Sequence, residues 1–168
     1  MLTTYLATML ARDLGALRRE VEAYPDDASV WQTTAGIPNC AGTLVLHLAG
    51  NLQAYIGAEL GGTGYVRNRD AEFARRDVSR ADLLREIDAA AAAVAATVPR
   101  LGDAELAATF PVAIGAVRLN TLDFLLHLAT HLTYHLGQID YHRRAVVGQA
   151  GGITAVSPAQ LASAVRVT

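Results

Sequence analysis

Leu2, Leu6, Met9, Leu10, Leu14, Leu17, Val21 and Tyr24 recur at three- and four-residue intervals with charges between them, which predicts an amphipathic helix over residues 2–24 that ends before Pro25. Residues 25–39, with Pro25, Asp26, Asp27, Gly36, Pro38 and Asn39, have the composition of a long loop. A second helix is predicted from Cys40 to Leu60, stopped by Gly61-Gly62. The glycine- and charge-rich stretch 61–78 reads as a surface connection. Ser79 then caps a third helix, with Asp82 in the capping-box position and a stripe of Leu83, Ile87, Ala90, Val94 and Val98 before Pro99. Residues 109–119 suit a short hairpin turning near Ile114-Gly115. Asn120 caps the fourth and longest helix, which runs to Gly148 and spans roughly 40 Å at ~1.5 Å per residue. Ser157-Pro158-Ala159-Gln160 is the opening of a short C-terminal helix. No internal repeat divides the chain, so the expectation is an all-α, four-helix bundle in a single domain over residues 1–168.

Composition narrows the function. The 168 residues are 52% hydrophobic and 18% charged, a globular balance. A net charge of −2 supplies no basic surplus for a phosphate backbone, so no nucleic-acid partner is expected. Cys40 is the sole cysteine, the first 24 residues hold no signal-peptide core, and no stretch stays apolar for the ~18 residues of a membrane span. A cytoplasmic protein without a membrane partner is therefore expected. All 14 basic residues are arginine, which excludes a P-loop lysine, a Schiff-base lysine and any nucleophile–lysine dyad. Ser29, Ser79, Ser157 and Ser163 lie outside any Gly-x-Ser-x-Gly elbow.

Polar residues on otherwise apolar faces carry the candidate chemistry. His47 and Asn51, one turn apart, interrupt the stripe of Leu44, Leu48, Leu52, Tyr55 and Ile56 on the second helix. His127, His131 and His135 follow one another at four-residue steps on the fourth helix. Each step advances ~40° and ~6 Å, so His131 and His135 share a face and can reach one ion at ~2.0–2.1 Å. His47, the only histidine off that helix, is the obvious third ligand. His127 is equally well spaced from His131 and competes with His135 for the site. A buried histidine bonded to a carbonyl, or a chance surface pair, is the structural alternative for each. His142 beside Arg143 and Arg144 reads as structural, as does Cys40. Tyr134 lies about 100° around the helix from His135 and is not placed in the site. Asn51 either orients a substrate or water or packs against its helix neighbour. Neither Glu-x-x-His nor His-Glu-x-x-His occurs, and the glutamates are expected on outer faces or loops, so the ion itself would be the activating group.

The segments CAGTLVLHLAGNLQAYIGAELGGTGY (40–65) and HLATHLTYHLGQIDYHRR (127–144) resemble the DinB/YfiT-like superfamily, the second through His-x-x-x-His followed by Leu-Gly-Gln-Ile. The resemblance implies a four-helix bundle, often homodimeric, that binds a divalent metal such as zinc or nickel through three histidines, here His47, His131 and His135. It further implies either a metal-dependent transferase that activates a low-molecular-weight thiol, such as bacillithiol or mycothiol, or a metal-dependent hydrolase. Both would act on a small electrophilic substrate through a metal-bound thiol or water, with Asn51 close by. The other reading is a non-catalytic structural or stress-response bundle, in which the ion only staples two helices.

Overall fold

The structure, a computed structural model, describes residues 1–153 and 156–167. Every regular element among them is helical. Four long helices form the body: α1 (Leu2–Glu22), α3 (Ala41–Leu52), α5 (Arg80–Thr97) and α7 (Thr121–Val147). Three short ones sit in the connections: α2 (Asp27–Trp31), α4 (Arg69–Ala74) and α6 (Asp103–Ala107). α1 packs against α5 and α7, and α3 against the same two, so the long helices form a ring in the order α1, α5, α3, α7. No described helix is long and apolar enough to cross a membrane.

Local signals set the boundaries. Ser79 Oγ accepts from the Asp82 amide at the start of α5. Asn120 Oδ1 accepts from the Leu122 and Asp123 amides at the start of α7. Gly148 closes α7 in the left-handed conformation at φ 71°, where a side chain would be strained. Except for Leu2, which is exposed, the predicted stripes face inward: Leu6, Leu10, Leu14, Leu17 and Val21 of α1 meet Leu83, Ile87 and Val94 of α5 and Leu125, Leu128, Leu132, Leu136 and Ile139 of α7 in one core.

Several local expectations change. Residues 25–39, expected to be a long loop, hold the short helix α2, where Asp26 Oδ1 accepts from the Ser29 amide and Val30 is buried. The second helix is α-helical only to Leu52 and widens into a π-helical turn over Gln53–Ala58. Residues 109–120 return on themselves through paired backbone contacts at Thr109/Asn120 and Ile114/Val117, a hairpin-like loop without strands. The C-terminal helix is a single 3₁₀ turn, Pro158–Gln160. Ser157 caps it as expected, but none of its residues is buried, so no apolar face holds further turns in place.

Polar contacts lock α7 to α1. Arg143 and Glu20 are both buried and paired at 2.6 Å, and Asp140 accepts from Arg143 at 3.0 Å. Burial pushes the Glu20 carboxyl up, against the pull of Arg143. Asp13, also buried, accepts from Thr133 Oγ1 at 2.7 Å. The Tyr24 hydroxyl lies 2.7 Å from His142 Nδ1, and His142 Nε2 donates to the Gln32 carbonyl at 2.8 Å, which gives His142 its structural role. Removing one member of the buried Glu20–Arg143 pair leaves the other charge uncompensated. Arg143→Met is therefore expected to lower unfolding stability in urea by about 3–5 kcal/mol, and the double variant Glu20→Met/Arg143→Met to recover much of that loss.

Candidate metal centre

His47 stands on α3, every residue of which is buried, and His131 and His135 stand one turn apart on α7. Leu44 lies beside Gln138, His47 beside His131, and Tyr55 beyond the end of α3 beside Phe124, so α3 and α7 pack antiparallel with His47 level with the α7 pair. His131 Nε2 lies 3.3 Å from His47 Nε2 and 3.1 Å from His135 Nε2. The ligand atoms of the three residues all lie within 4.8 Å of one another. Tetrahedral nitrogens bound at ~2.0–2.1 Å sit about 3.3 Å apart, so these separations fit a metal ion.

The protonation states favour the same use. Burial holds His131 well below its ordinary value of 6.5, at about 4, and the neighbouring His135, His47, His127 and Arg67 add to the effect. Burial also lowers His135, against the opposing hydrogen bond to Gln138. Neutral imidazoles with converging lone pairs are what a cation requires. A proton between two of the Nε2 atoms satisfies one pair and leaves the third lone pair facing the others.

The outer nitrogens are also engaged. His135 Nδ1 donates to Gln138 Oε1 at 2.6 Å, which leaves Nε2 as the free lone pair. His47 Nδ1 lies 3.1 Å from Glu72 Oε2. Glu72 is 6% exposed, which corrects the expectation that the glutamates occupy outer faces or loops. It stands on α4, within the stretch expected to be a plain surface connection. Arg67 grips both its oxygens, Nε to Oε1 at 2.7 Å and Nη2 to Oε2 at 2.8 Å. Burial opposes the charge on Glu72, but the hydrogen bonds from Arg67 and His47 outweigh it and hold the carboxyl below its usual range. α3 makes room for this carboxylate at Gly50, where an added Cβ would lie 2.3 Å from Glu72 Oε1. The sequence carried two traces of this arrangement: a glycine inside a helix, and Arg67 and Glu72 close together in a glycine-rich stretch.

The other candidates fall around the cluster. The exposed His127 ring stacks on His131 with centroids 5.8 Å apart, but it is outside the three-residue group. Asn51, one turn beyond His47, is buried, and its Oδ1 has no protein partner. The Phe73 ring lies 5.0 Å from that of His47. Tyr134 is 66% exposed and stays out of the cluster, as the helical spacing implied. Cys40 is buried 3.2 Å from Thr43 Oγ1, a packing position. One helical turn from the cluster, in the opposite direction from Asn51, lies a cleft of about 360 Å³. Leu44 of α3, Gln138, Tyr141 and His142 of α7, and the loop carrying Ile37, Pro38 and Asn39 line it.

The sequence matches the family model of the DinB superfamily over residues 9–139, a span that contains all three clustered histidines. The chain belongs to the DinB superfamily. No curated protein and no solved structure gives a significant match. Membership accords with the all-helical architecture and with a site able to hold a metal.

The depressed histidines set a pH dependence for the metal-free protein. The unfolded chain takes up protons near pH 6.5, whereas folded His131 resists them until about 4. Stability present above pH 6.5 is therefore expected to fall as pH drops toward 4. Urea denaturation across that window should show this slope, and it should be shallower in His131→Asn.

Proposed function

We propose that this DinB-superfamily protein is a metal-dependent enzyme in which His47, His131 and His135 hold a divalent ion, zinc or nickel, that activates a thiol or water toward a small electrophile. The convergence of three Nε2 atoms on one point, at separations of 3.1 and 3.3 Å from His131, is the observation that carries this reading. Such an ion lowers the pKa of a bound thiol or water and so supplies a nucleophile near neutral pH. Among the described residues only these three form such a group, whereas structural zinc sites are usually closed by four ligands and favour cysteine. That contrast favours an open, catalytic site over the stapling role.

The surrounding residues supply binding and orientation. Asn51 offers a buried acceptor without a partner on the face of α3 that bears His47, suited to hold a hydroxyl, amine or water of the reacting species. The cleft beside Gln138 has apolar walls in Leu44, Ile37, Pro38 and Tyr141 and no carboxylate or guanidinium among its lining residues. Its volume lies at the lower end of the ~300–1,000 Å³ of small-ligand pockets, which suits the uncharged body of a small organic electrophile.

Elemental analysis of protein purified without a histidine tag tests the metal. The expected result is about one zinc or nickel per chain in the parent and none in His131→Ala. Metal-free parent protein that stays empty after incubation with either ion would overturn the proposal.

Filling the cleft tests the substrate. Ile37 is 45% exposed, so Ile37→Trp should fold normally and retain metal. It is expected to reduce kcat/KM for thiol-dependent turnover of 4-nitrobenzyl chloride at least about tenfold. An unchanged value would remove the cleft from the substrate's path.

A further inference from the structure

We propose that Glu72, clamped by Arg67, is the positioning residue that selects the metal-competent tautomer of His47, and that the 61–78 segment is thereby part of the metal centre. The inference rests on the metal reading above and goes beyond it to a residue that binds no metal.

A neutral imidazole carries one proton on one of two nitrogens. With the proton on Nε2, His47 would point an N–H at His131 Nε2, 3.3 Å away, and block the position an ion needs. With the proton on Nδ1, Nε2 presents its lone pair to that position. The choice is made at Nδ1, where two groups compete. Glu72 Oε2, at 3.1 Å, can only accept and so demands the proton there. Arg67 Nη2, at 3.3 Å, can only donate and so favours the opposite tautomer.

Glu72 wins this competition on geometry. Arg67 already spends Nε and Nη2 on the two carboxylate oxygens, at 2.7 and 2.8 Å, in the bidentate arrangement that guanidinium and carboxylate prefer. The more distant approach to His47 is the residue of that grip. The clamp also fixes which way the carboxylate faces: Oε1 is turned to Arg67 and Oε2 is shared between Arg67 and His47. A carboxylate on the outer nitrogen makes the inner one a better donor to a metal.

Construction on both sides supports a dedicated role. Glu72 comes from a six-residue helix whose start is fixed by Asn68 Oδ1 accepting from the Ala71 amide at 3.0 Å. From the α3 side, Gly50 leaves the space that the carboxylate fills. An ion pair that served only to attach α4 would not need to reach through the missing side chain of α3 to a histidine.

Glu72→Gln separates the two roles, because the amide keeps the shape yet can present N–H to Nδ1. Its affinity for zinc, measured by competition with a chelator, is expected to fall about 10- to 100-fold with the circular dichroism spectrum unchanged. Long-range ¹⁵N–¹H correlation spectra of the metal-free proteins at neutral pH give a readout that packing alone would not move. The parent's His47 should carry its proton on Nδ1, and in Glu72→Gln the Nε2-protonated form should rise. Parent protein with His47 protonated on Nε2 would overturn the proposal without recourse to any variant, as would zinc affinity in folded Glu72→Gln equal to the parent's. A parent that binds no zinc at all would instead defeat the metal reading itself.

Discussion

The axial position and rotation of α7 are the constraint on which the rest of this molecule depends. One residue of slippage turns a helix by about 100°, enough to carry His131 and His135 away from α3 and Leu132 and Leu136 out of the core. Apolar stripes alone tolerate sliding, since one leucine can replace another along a groove. Polar contacts do not, and α7 has them on two sides. Arg143 and Thr133 tie it to Glu20 and Asp13 of α1, and the imidazoles face His47 of α3. The buried charges cost solvation, and fixing register is the best-attested use of such pairs.

That division explains how the site can gather three imidazoles without collapsing around them. The core under α7 is continuous from Phe124 to Ile139, with the aromatic group of Tyr55, Phe110 and Phe124 closing one end. The histidines sit at its margin, half-buried on the α7 side and buried on the α3 side. Burial is deep enough to keep His131 neutral and still leaves His131 and His135 partly exposed. Asn51 and the cleft by Gln138 extend the polar and apolar ends of one seam between α3 and α7.

Most of the frame was legible from residues in sequence because its signals are local. Ser79, Asn120 and Gly148 fix helix ends by contacts within three or four residues, and the leucine stripes report which face is inside. His131 and His135 could be paired because their spacing lies on one helix, and His47 followed because it interrupts an apolar stripe. Glu72 could not be read that way. Its environment is made by a histidine 25 positions away in sequence, and its own neighbours, Arg67, Asn68, Arg69 and Asp70, have the composition of a solvated loop. The π-helical turn at Gln53–Ala58 is invisible to periodicity for a related reason, since its apolar residues satisfy an α-helical stripe equally well. The C-terminal turn failed in the opposite sense: its local signal was correct and tertiary burial was missing.

Gly50 places a cost in the last turn of α3, where the helix runs on into the π-helical turn. A glycine inside a helix weakens it by roughly 0.5–1 kcal/mol relative to alanine, through the freedom it restores to the unfolded chain. Here the vacancy admits a carboxylate that alanine would exclude. The helix that presents His47 is thus intrinsically less stable than it could be, and part of its order comes from α4 seated across it. Stability and the seating of Glu72 are therefore opposed at this one backbone position, where a substitution chosen to strengthen the helix would push out the carboxylate behind His47.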